Sequence, residues 1–371
     1  MIEHLFTDNI KAILKKKFGK NAEPVFEKSL LIQYLNEKTR SANKGSKARG
    51  SFANLYAIYV IIEDYIDKGY DRKGDYSAYE GASFNKLFAR QRDLPFGSKL
   101  QNYALNNRMN SEFQKYFPNS EYIPILRNLE TNRYWINENL LKIITDKKTI
   151  NVAKAIIEII DNYMQTKQES FLRFVKSCEE LQKIEATTPQ KVKAFIIGLL
   201  APNTDARLFE IVSYSILKYY YYDQQIYWGF EIDKLNKENL QLYKTGRTNA
   251  NDGGIDFVMR PLGRFFQVTE TLDFKKYFLD IDKIQKYPIS FIVKSLESPK
   301  EILQKIKENA YKTYSIKAIV EKYMACIEEI INISMLISHF EDTVKQGYLN
   351  QILYEIILQS KVEFNYEEEI D

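Results

Sequence analysis

Two short apolar segments joined by a tight turn place the strongest constraint on how this chain folds. Residues 255–259 (IDFVM) and 265–269 (FFQVT) are rich in strand-forming side chains and flank a Pro-Leu-Gly sequence. The pattern predicts a β-hairpin. Asp256 interrupts the first segment, while Gln267 and Thr269 share one face of the second because side chains alternate along a strand.

A carboxylate in such a segment needs a compensating partner, because burying it unpaired is expensive. If the two segments pair, Asp256 converges with Gln267 and Thr269 on one point of the sheet surface. Oxygen ligands of this kind suit Mg²⁺, which can activate water for phosphodiester hydrolysis. Two other interpretations stay open: Asp256 is an ordinary turn residue, and Gln267 and Thr269 form a solvated strand surface.

Amino-acid composition further limits the kinds of catalysis and metal binding to expect of this chain. The 371 residues are 45% hydrophobic, enough for two cores. Two histidines and two cysteines argue against a histidine-assisted nucleophile and against structural zinc, and they favour a reducing compartment. Because there is neither a signal peptide nor an apolar run near the ~20 residues of a membrane span, we expect a cytoplasmic protein with no membrane contact.

Positive charge is concentrated near the N-terminus. Between residues 11 and 50, eleven Lys and Arg face three Glu, an excess of 11 − 3 = +8, against +4 for the whole chain. This asymmetry favours a polyanion as partner. The loop RSANKGSKARGS is either a solvated connector or a phosphate-binding segment, and the latter would use Arg40, Lys44, Lys47 and Arg49.

A candidate helix-turn-helix follows in the N-terminal half. The sequence predicts a helix from Ser83 to Arg92, a turn around Pro95 and Gly97, and a second helix with Ser98 as N-cap. Two interpretations remain open: the second helix presents an ordinary solvated surface, or it reads base edges in the major groove. The reading side chains would be Lys99, Gln101, Asn102, Asn106, Asn107, Arg108 and Asn110.

The segment EATTPQK marks the predicted domain boundary. We expect a mostly helical DNA-recognition domain over 1–188 and a catalytic domain over 189–371. The second domain should be α/β, because short strands near WGFEID, LQLYK, GIDFVM, RFFQVTE and ISFIVKS lie between helices. Long helices are predicted to fill residues 299–360.

The order FEIVSYSILKYYYY, GGIDFV and FFQVTE, within residues 205–295, resembles the PD-(D/E)XK nuclease superfamily, particularly type II restriction endonucleases. The resemblance implies a restriction-endonuclease-like core, a mixed sheet flanked by helices, and Mg²⁺ as cofactor. Asp256 would bind the metal with Glu210, the helix acid, and with the backbone carbonyl of Val268. From its own helical pattern, Glu210 faces either water or the active site.

The same resemblance makes Gln267, Thr269 and Glu270 catalytic residues alongside Asp256. Gln267 would occupy the first and Thr269 the last position of the family's x-K tripeptide, where this sequence has threonine instead of lysine. The replacement could come from Glu270, Lys244, Lys275 or Lys276, and a degenerate nuclease without activity also remains open.

The function predicted from these features is sequence-specific cleavage of double-stranded DNA by a Mg²⁺-dependent endonuclease of a restriction-modification system. Cutting both strands requires either a homodimer or repeated binding. Two alternatives stay open: a non-catalytic DNA-binding regulator that uses the helix-turn-helix, and a repair or structure-selective nuclease.

Overall fold

The computed structural model describes residues 3–40, 48–72, 75–97, 100–145, 148–245 and 254–364. The chain divides into two compact units, Met1–Phe174 and Val175–Asp371. This division falls inside a long helix, upstream of the 188/189 boundary expected from the EATTPQK segment.

The first unit is mainly helical with short strands. Its regular elements are α1 (Leu5–Phe18), α2 (Ala22–Lys28), α3 (Leu30–Thr39), α4 (Ala48–Asp67), β1 (Ala82–Ser83), α5 (Phe84–Asp93), α6 (Met109–Tyr116), β2 (Ile125–Asn128), β3 (Arg133–Ile136), β4 (Lys142–Thr145), β5 (Lys148–Asn151) and α7 (Ala153–Ile184). Strands order as β1-β3-β2, and β4 and β5 form a hairpin. Helix α4 is buried along residues 52–62, which explains its apolar sequence on all sides.

The second unit surrounds one larger sheet. Its elements are α8 (Pro189–Gly198), α9 (Ala206–Tyr222), β6 (Gln225–Trp228), β7 (Asn236–Asn239), β8 (Gln241–Lys244), β9 (Phe257–Arg260), β10 (Arg264–Thr269), α10 (Phe274–Lys283), β11 (Ile289–Val293), α11 (Pro299–Thr313), α12 (Lys317–Met324), β12 (Ile327–Ile331), α13 (Ile333–Lys345) and α14 (Leu349–Phe364).

The larger sheet has the order β12-β11-β10-β9-β8. Strands β8, β9 and β10 form an antiparallel meander, and β10, β11 and β12 run parallel. Helix α9 packs on one face, where Tyr214 contacts Phe257 with ring centroids 5.3 Å apart. Helix α10 packs on the other, where Tyr277 contacts Phe291 at 4.6 Å. The fold is therefore mixed α/β.

One sequence prediction of local structure was wrong: strand β12 lies inside the range predicted to be helical from 299 to 360. The half predicted to be mostly helical also contains the short strands β2 to β5. The extended segment expected near WGFEID is β6, which ends at Trp228. Among the described residues, no helix is both long enough and apolar enough to cross a bilayer.

Candidate functional site

The hairpin β9–β10 brings two of the predicted site residues together. The Asp256 Oδ2 atom accepts hydrogen bonds from Gln267 Nε2 at 2.7 Å and from the Val268 amide at 2.8 Å. Thr269 lies two residues further along the same face of β10, but its hydroxyl accepts from the Thr271 amide at 3.3 Å. Asp256 and Gln267 thus form the centre of the site, with Thr269 turned into a local loop contact.

Asp256 lies just before β9 rather than inside it, and the reason is in the backbone. Phe257 pairs with Phe266, but the Asp256 amide donates to the Phe266 carbonyl at 3.2 Å, one residue out of that register. The strands separate here, and the Asp256 carboxylate takes the place of a backbone carbonyl in receiving the Val268 amide. Val268 therefore contacts Asp256 through its amide. The resemblance assigned a different group, the Val268 carbonyl, to the metal ion.

Burial dominates the electrostatics of Asp256. Loss of hydration raises the pKa of this carboxyl to about 6, because the charged form is poorly solvated. The Val268 hydrogen bond and the charges of Lys276 and Lys244 lower the pKa, whereas the charge of Asp280 raises it. The carboxyl thus titrates close to neutral pH, as expected of a group at a functional site.

Glu210 is held by two cations. Its carboxylate is buried on α9 and forms ion pairs with Arg207, one turn earlier, and with Lys244, whose Nζ lies 3.5 Å from Oε1. Lys244 ends β8 and pairs across the ladder with Phe257. Lys244 pairs with Glu210 and also lowers the pKa of Asp256. It therefore links electrostatically two carboxylates that are separated in sequence by the end of α9 and by strands β6 to β8.

A second polar group, missed by the sequence analysis, lies at the ends of the parallel strands. Lys294 follows β11 directly, and its amide donates to the Thr269 carbonyl at 2.9 Å. Its buried ammonium lies 2.6 Å from Glu270 Oε1 and also donates to the Thr204 carbonyl. Glu270, predicted to act in catalysis, is thus engaged with Lys294. A lysine directly after the buried run ISFIV is the sequence signal that could have revealed it.

A third cluster lies on α10. Asp280 is completely buried and pairs with Lys276 and Lys283, each at 2.8 Å. Gly254, with φ of +58°, comes so close that a Cβ there would lie 3.4 Å from Lys283 Nζ. Lys276 and Asp280 of this cluster both act on the Asp256 carboxyl, as Lys244 does from β8, so two cations and one anion influence its pKa.

The predicted DNA-contacting residues have mixed outcomes. Lys44, Lys47 and Lys99 and the side chain of Arg49 lie outside the described residues, as does Ser98. Arg40, Gln101, Asn102, Asn107 and Arg108 are exposed. Asn106 and Asn110, expected to face DNA, instead make internal contacts: Asn106 Oδ1 accepts from the Tyr134 hydroxyl at 2.9 Å, and Asn110 bonds the backbone of Ile125.

The expected helix-turn-helix geometry is wrong in the described residues. Helix α5 ends at Asp93, and the next helical segment starts with a π-helical turn at Ala104–Arg108 that leads into α6. A connection of this length exceeds the ~3–4 residues of the DNA-binding motif. The turn at Pro95 and Gly97 does form, with the Gly97 amide donating to the Leu94 carbonyl at 2.8 Å. The hydrophobic residues that follow this turn favour a helix that begins further along the chain.

Acidic residues that are distant in sequence offset part of the N-terminal positive charge. Lys17 pairs with Glu158 at 2.5 Å and Lys38 with Glu112 at 2.5 Å. Lys11 pairs with Glu3 at 2.6 Å. The local excess counted along the chain therefore overstates the free charge on the surface of this unit.

Few side chains near Asp256 could serve as ligands of a divalent cation. Within the described ranges, no three His, Cys, Asp or Glu side chains come together as a metal-binding group. However, Gln267 is buried, and among the described residues no hydrogen-bond partner reaches its Oε1. Rotating that amide by half a turn would present Oε1, in place of Nε2, beside the Asp256 carboxylate. One carboxylate, one amide oxygen, waters and a substrate phosphate are a ligand set that Mg²⁺ accepts.

Comparison with known proteins yields no relative from which to transfer a function. No protein-family model matches the chain, and neither a curated protein nor a solved structure is significantly similar to it. Any functional conclusion must therefore come from the residues themselves.

Proposed function

We propose that this protein is a Mg²⁺-dependent DNA endonuclease with its active site at Asp256. Asp256 and the Oε1 atom of Gln267 would hold the ion, which supplies a polarised phosphate and an activated water. Lys244 and Lys276 would attract the phosphate backbone to a carboxylate that would otherwise repel it. The proposed substrate is double-stranded DNA cut at a specific sequence, as in a restriction-modification system.

One observation carries this proposal: a buried carboxylate is hydrogen-bonded to a buried amide whose own oxygen lacks a partner within the part of the chain that the structure describes. An orphaned buried acceptor costs free energy, on the order of 1–3 kcal/mol. With the Gln267 amide turned so that Oε1 replaces Nε2 beside Asp256, a bound cation would satisfy that acceptor and the Asp256 charge together. The order of elements agrees with the resemblance, since an acid on α9 is followed by Asp256, by Gln267 on β10, by helix α10 and by strand β11.

The experiment that tests the proposal is plasmid cleavage. Unmethylated supercoiled DNA is incubated with the full-length protein in Mg²⁺ and in EDTA, and the same is done for Asp256→Asn. Discrete fragments that need Mg²⁺ and disappear in the variant are expected, with a loss of at least ~100-fold. The control Asp342→Asn removes an exposed carboxylate that pairs with Lys345 on α13, and should cleave normally. Uncut DNA from many sequence contexts would contradict the proposal, and random nicking would favour a repair or structure-selective nuclease.

A second candidate function, binding of DNA without chemistry, is favoured by the cations around the site. Lys276 and Lys283 already neutralise Asp280, and Lys244 and Arg207 neutralise Glu210. A site in which lysines already occupy the carboxylates can attract phosphate without a metal. DNA affinity that is equal in Mg²⁺ and EDTA and unchanged in Asp256→Asn, with no cleavage, would select this candidate.

A further inference from the structure

An apolar hairpin on the second unit exposes more hydrophobic surface than a monomer normally leaves in water. It comprises β6, the short helical turn Ile232–Lys234 and β7, and is called here the apolar hairpin (residues 225–239). Phe230 at its tip is fully exposed, Ile232 is 87% exposed and Tyr227 is 62% exposed. Trp228 and Leu235 are each a little under half exposed. Together these five side chains leave roughly 700 Å² accessible.

The size of this exposed apolar area can be compared with the patches of monomers and with the interfaces of complexes. The largest apolar patch on a typical monomer is about 300–600 Å², and a stable interface buries about 800 Å² on each partner. Because neighbouring side chains of a strand point to opposite faces, Tyr227 and Trp228 do not share one patch. The apolar hairpin therefore supplies part of one side of a standard interface, and pairing of strand edges would have to supply the rest.

The tip is held in a defined shape. A Cβ on Gly229 would lie 2.8 Å from the Lys234 carbonyl oxygen, so the chain is packed against itself at the turn. The Trp228 Nε1 atom donates to Glu238 at 3.0 Å across the two strands, and Lys234 pairs with Glu231 at 2.7 Å. Phe230 and Ile232 are consequently displayed by a structured turn.

Charge excludes a strongly charged partner. Residues 225–239 contain three acidic and two basic side chains, a net charge of 2 − 3 = −1, and two of these, Glu231 and Lys234, pair with each other. Such a surface repels rather than attracts a polyanion such as DNA. It suits a partner that is itself apolar and nearly neutral.

The strand edge identifies that partner. In the described part of the chain, β6 and β7 pair only with each other, which leaves the outer edge of β6 without a strand neighbour. The sequence of β6, Gln-Ile-Tyr-Trp, contains no charge and no proline, the usual protection of an edge. An edge of this kind is self-complementary, because two copies can pair antiparallel across a two-fold axis.

We infer that the apolar hairpin is a dimerisation arm that binds the same hairpin of a second copy of this chain. The outer edges of the two β6 strands pair antiparallel, and Phe230, Ile232 and Tyr227 of each copy pack against the other. The inference does not depend on nuclease activity, although two copies would supply two sites for the two strands of a duplex.

The experiment is sedimentation velocity of the full chain over a range of concentrations, without DNA and without Mg²⁺. The wild type is expected to dimerise. Phe230→Ser with Ile232→Ser should raise the dissociation constant about tenfold or more, since such central apolar residues dominate interfaces. Leu129→Ser, which truncates a similarly exposed leucine between β2 and β3, is the matched control and should dimerise like the wild type.

Because the substituted side chains are exposed, the melting temperature of the monomer should not change, and calorimetry checks this. A wild type that stays monomeric at every concentration would overturn the inference. So would a double variant that dimerises as tightly as the wild type. If the wild type is monomeric and the double variant loses affinity for DNA, the hairpin is a DNA wedge, and the dimerisation arm is likewise refuted.

Discussion

The Nε2 atom of Gln267 lies 2.7 Å from the Oδ2 atom of Asp256, while Oε1 of the same amide is buried with no partner in the described ranges. One side chain thus satisfies the carboxylate and leaves its own acceptor unsatisfied. The free-energy cost of this unsatisfied acceptor falls beside Asp256, whose pKa is already raised by burial. Three of the predictions below follow from this pair and its neighbouring charges.

Replacing Asp256 by Asn should stabilise the protein at neutral pH. The folded-state pKa of Asp256, about 6, exceeds the value near 3.9 of an unfolded chain. Below about pH 4 the group is protonated in both states and contributes nothing. As pH rises from 4 to 6 the unfolded state ionises first, so stability falls, and the full cost of about 2–3 kcal/mol applies above 6. Calorimetry at pH 4 and pH 8 should show the variant more stable only at the higher pH. Equal differences at both pH values would contradict the assignment.

Mg²⁺ should raise the melting temperature of the wild type but not that of Asp256→Asn. A ligand that binds only the folded state stabilises it, by about 2.7 kcal/mol at a concentration a hundred times its dissociation constant. The measurement needs no substrate, so it tests the cation site separately from cleavage. Asp342→Asn should respond to Mg²⁺ as the wild type does. Equal shifts in all three proteins would place the ion elsewhere.

Replacing Lys244 by Met should raise the pKa of Asp256 further, because a positive charge that lowers it is removed. The acid limb of the cleavage pH profile should then move to higher pH. A nuclear magnetic resonance titration of the Asp256 carboxyl carbon measures the shift without any activity. Lys275→Met, an exposed lysine near the start of α10, is the control and should shift that pKa much less. An unchanged titration in Lys244→Met would exclude the link between Lys244 and Asp256.

The Glu270–Lys294 pair should respond asymmetrically to substitution. The Lys294 side chain is 3% exposed and that of Glu270 is 33% exposed. Glu270→Gln leaves a buried ammonium without its counter-charge and should cost roughly 3 kcal/mol. Lys294→Met leaves a carboxylate that water can reach, so it should cost about 1 kcal/mol. Urea unfolding of the two variants measures the difference, and the reverse order would refute this account of the pair.

Substitutions of Asn106 and Arg108 should have different effects, one on stability and the other on DNA affinity. Arg108 is exposed, so Arg108→Gln should weaken DNA binding and reduce its salt dependence with little change in melting temperature. Asn106 accepts a hydrogen bond from Tyr134, so Asn106→Ala should cost about 1 kcal/mol of stability and leave DNA affinity nearly unchanged. Fluorescence anisotropy at several salt concentrations measures the affinities. A larger loss of affinity in Asn106→Ala would restore it as a base contact.

The sequence was sufficient to predict the hairpin, because its turn residues and the alternation of its side chains indicated the same structure. The Pro-Leu-Gly turn, with φ of +67° at Gly263, and the alternation along β10 predicted the hairpin and the meeting of Asp256 with Gln267. The same signals could not show that the strands separate at Asp256. That departure depends on a side chain replacing a carbonyl in the ladder, which no periodicity encodes.

Strand β12 shows why other elements were missed. Its residues IEEII also fit a helical spacing of apolar side chains, and long helices flank it on both sides. It becomes a strand because β11 offers a parallel edge, with Ile292 opposite Ile331. Such non-local pairing also places Lys294 beside Glu270 and Lys244 beside Glu210, so these contacts could not be predicted from spacing along the chain.

A single carboxylate oxygen of Asp256 closes the hydrogen-bond ladder at Val268, and this makes the backbone itself a reporter of what the carboxylate holds. Any proton or cation that competes for that oxygen must weaken its hold on the Val268 N–H group. Deuterium uptake at this one amide should therefore speed up when the carboxylate becomes occupied, giving a readout of occupancy that requires no knowledge of the DNA target.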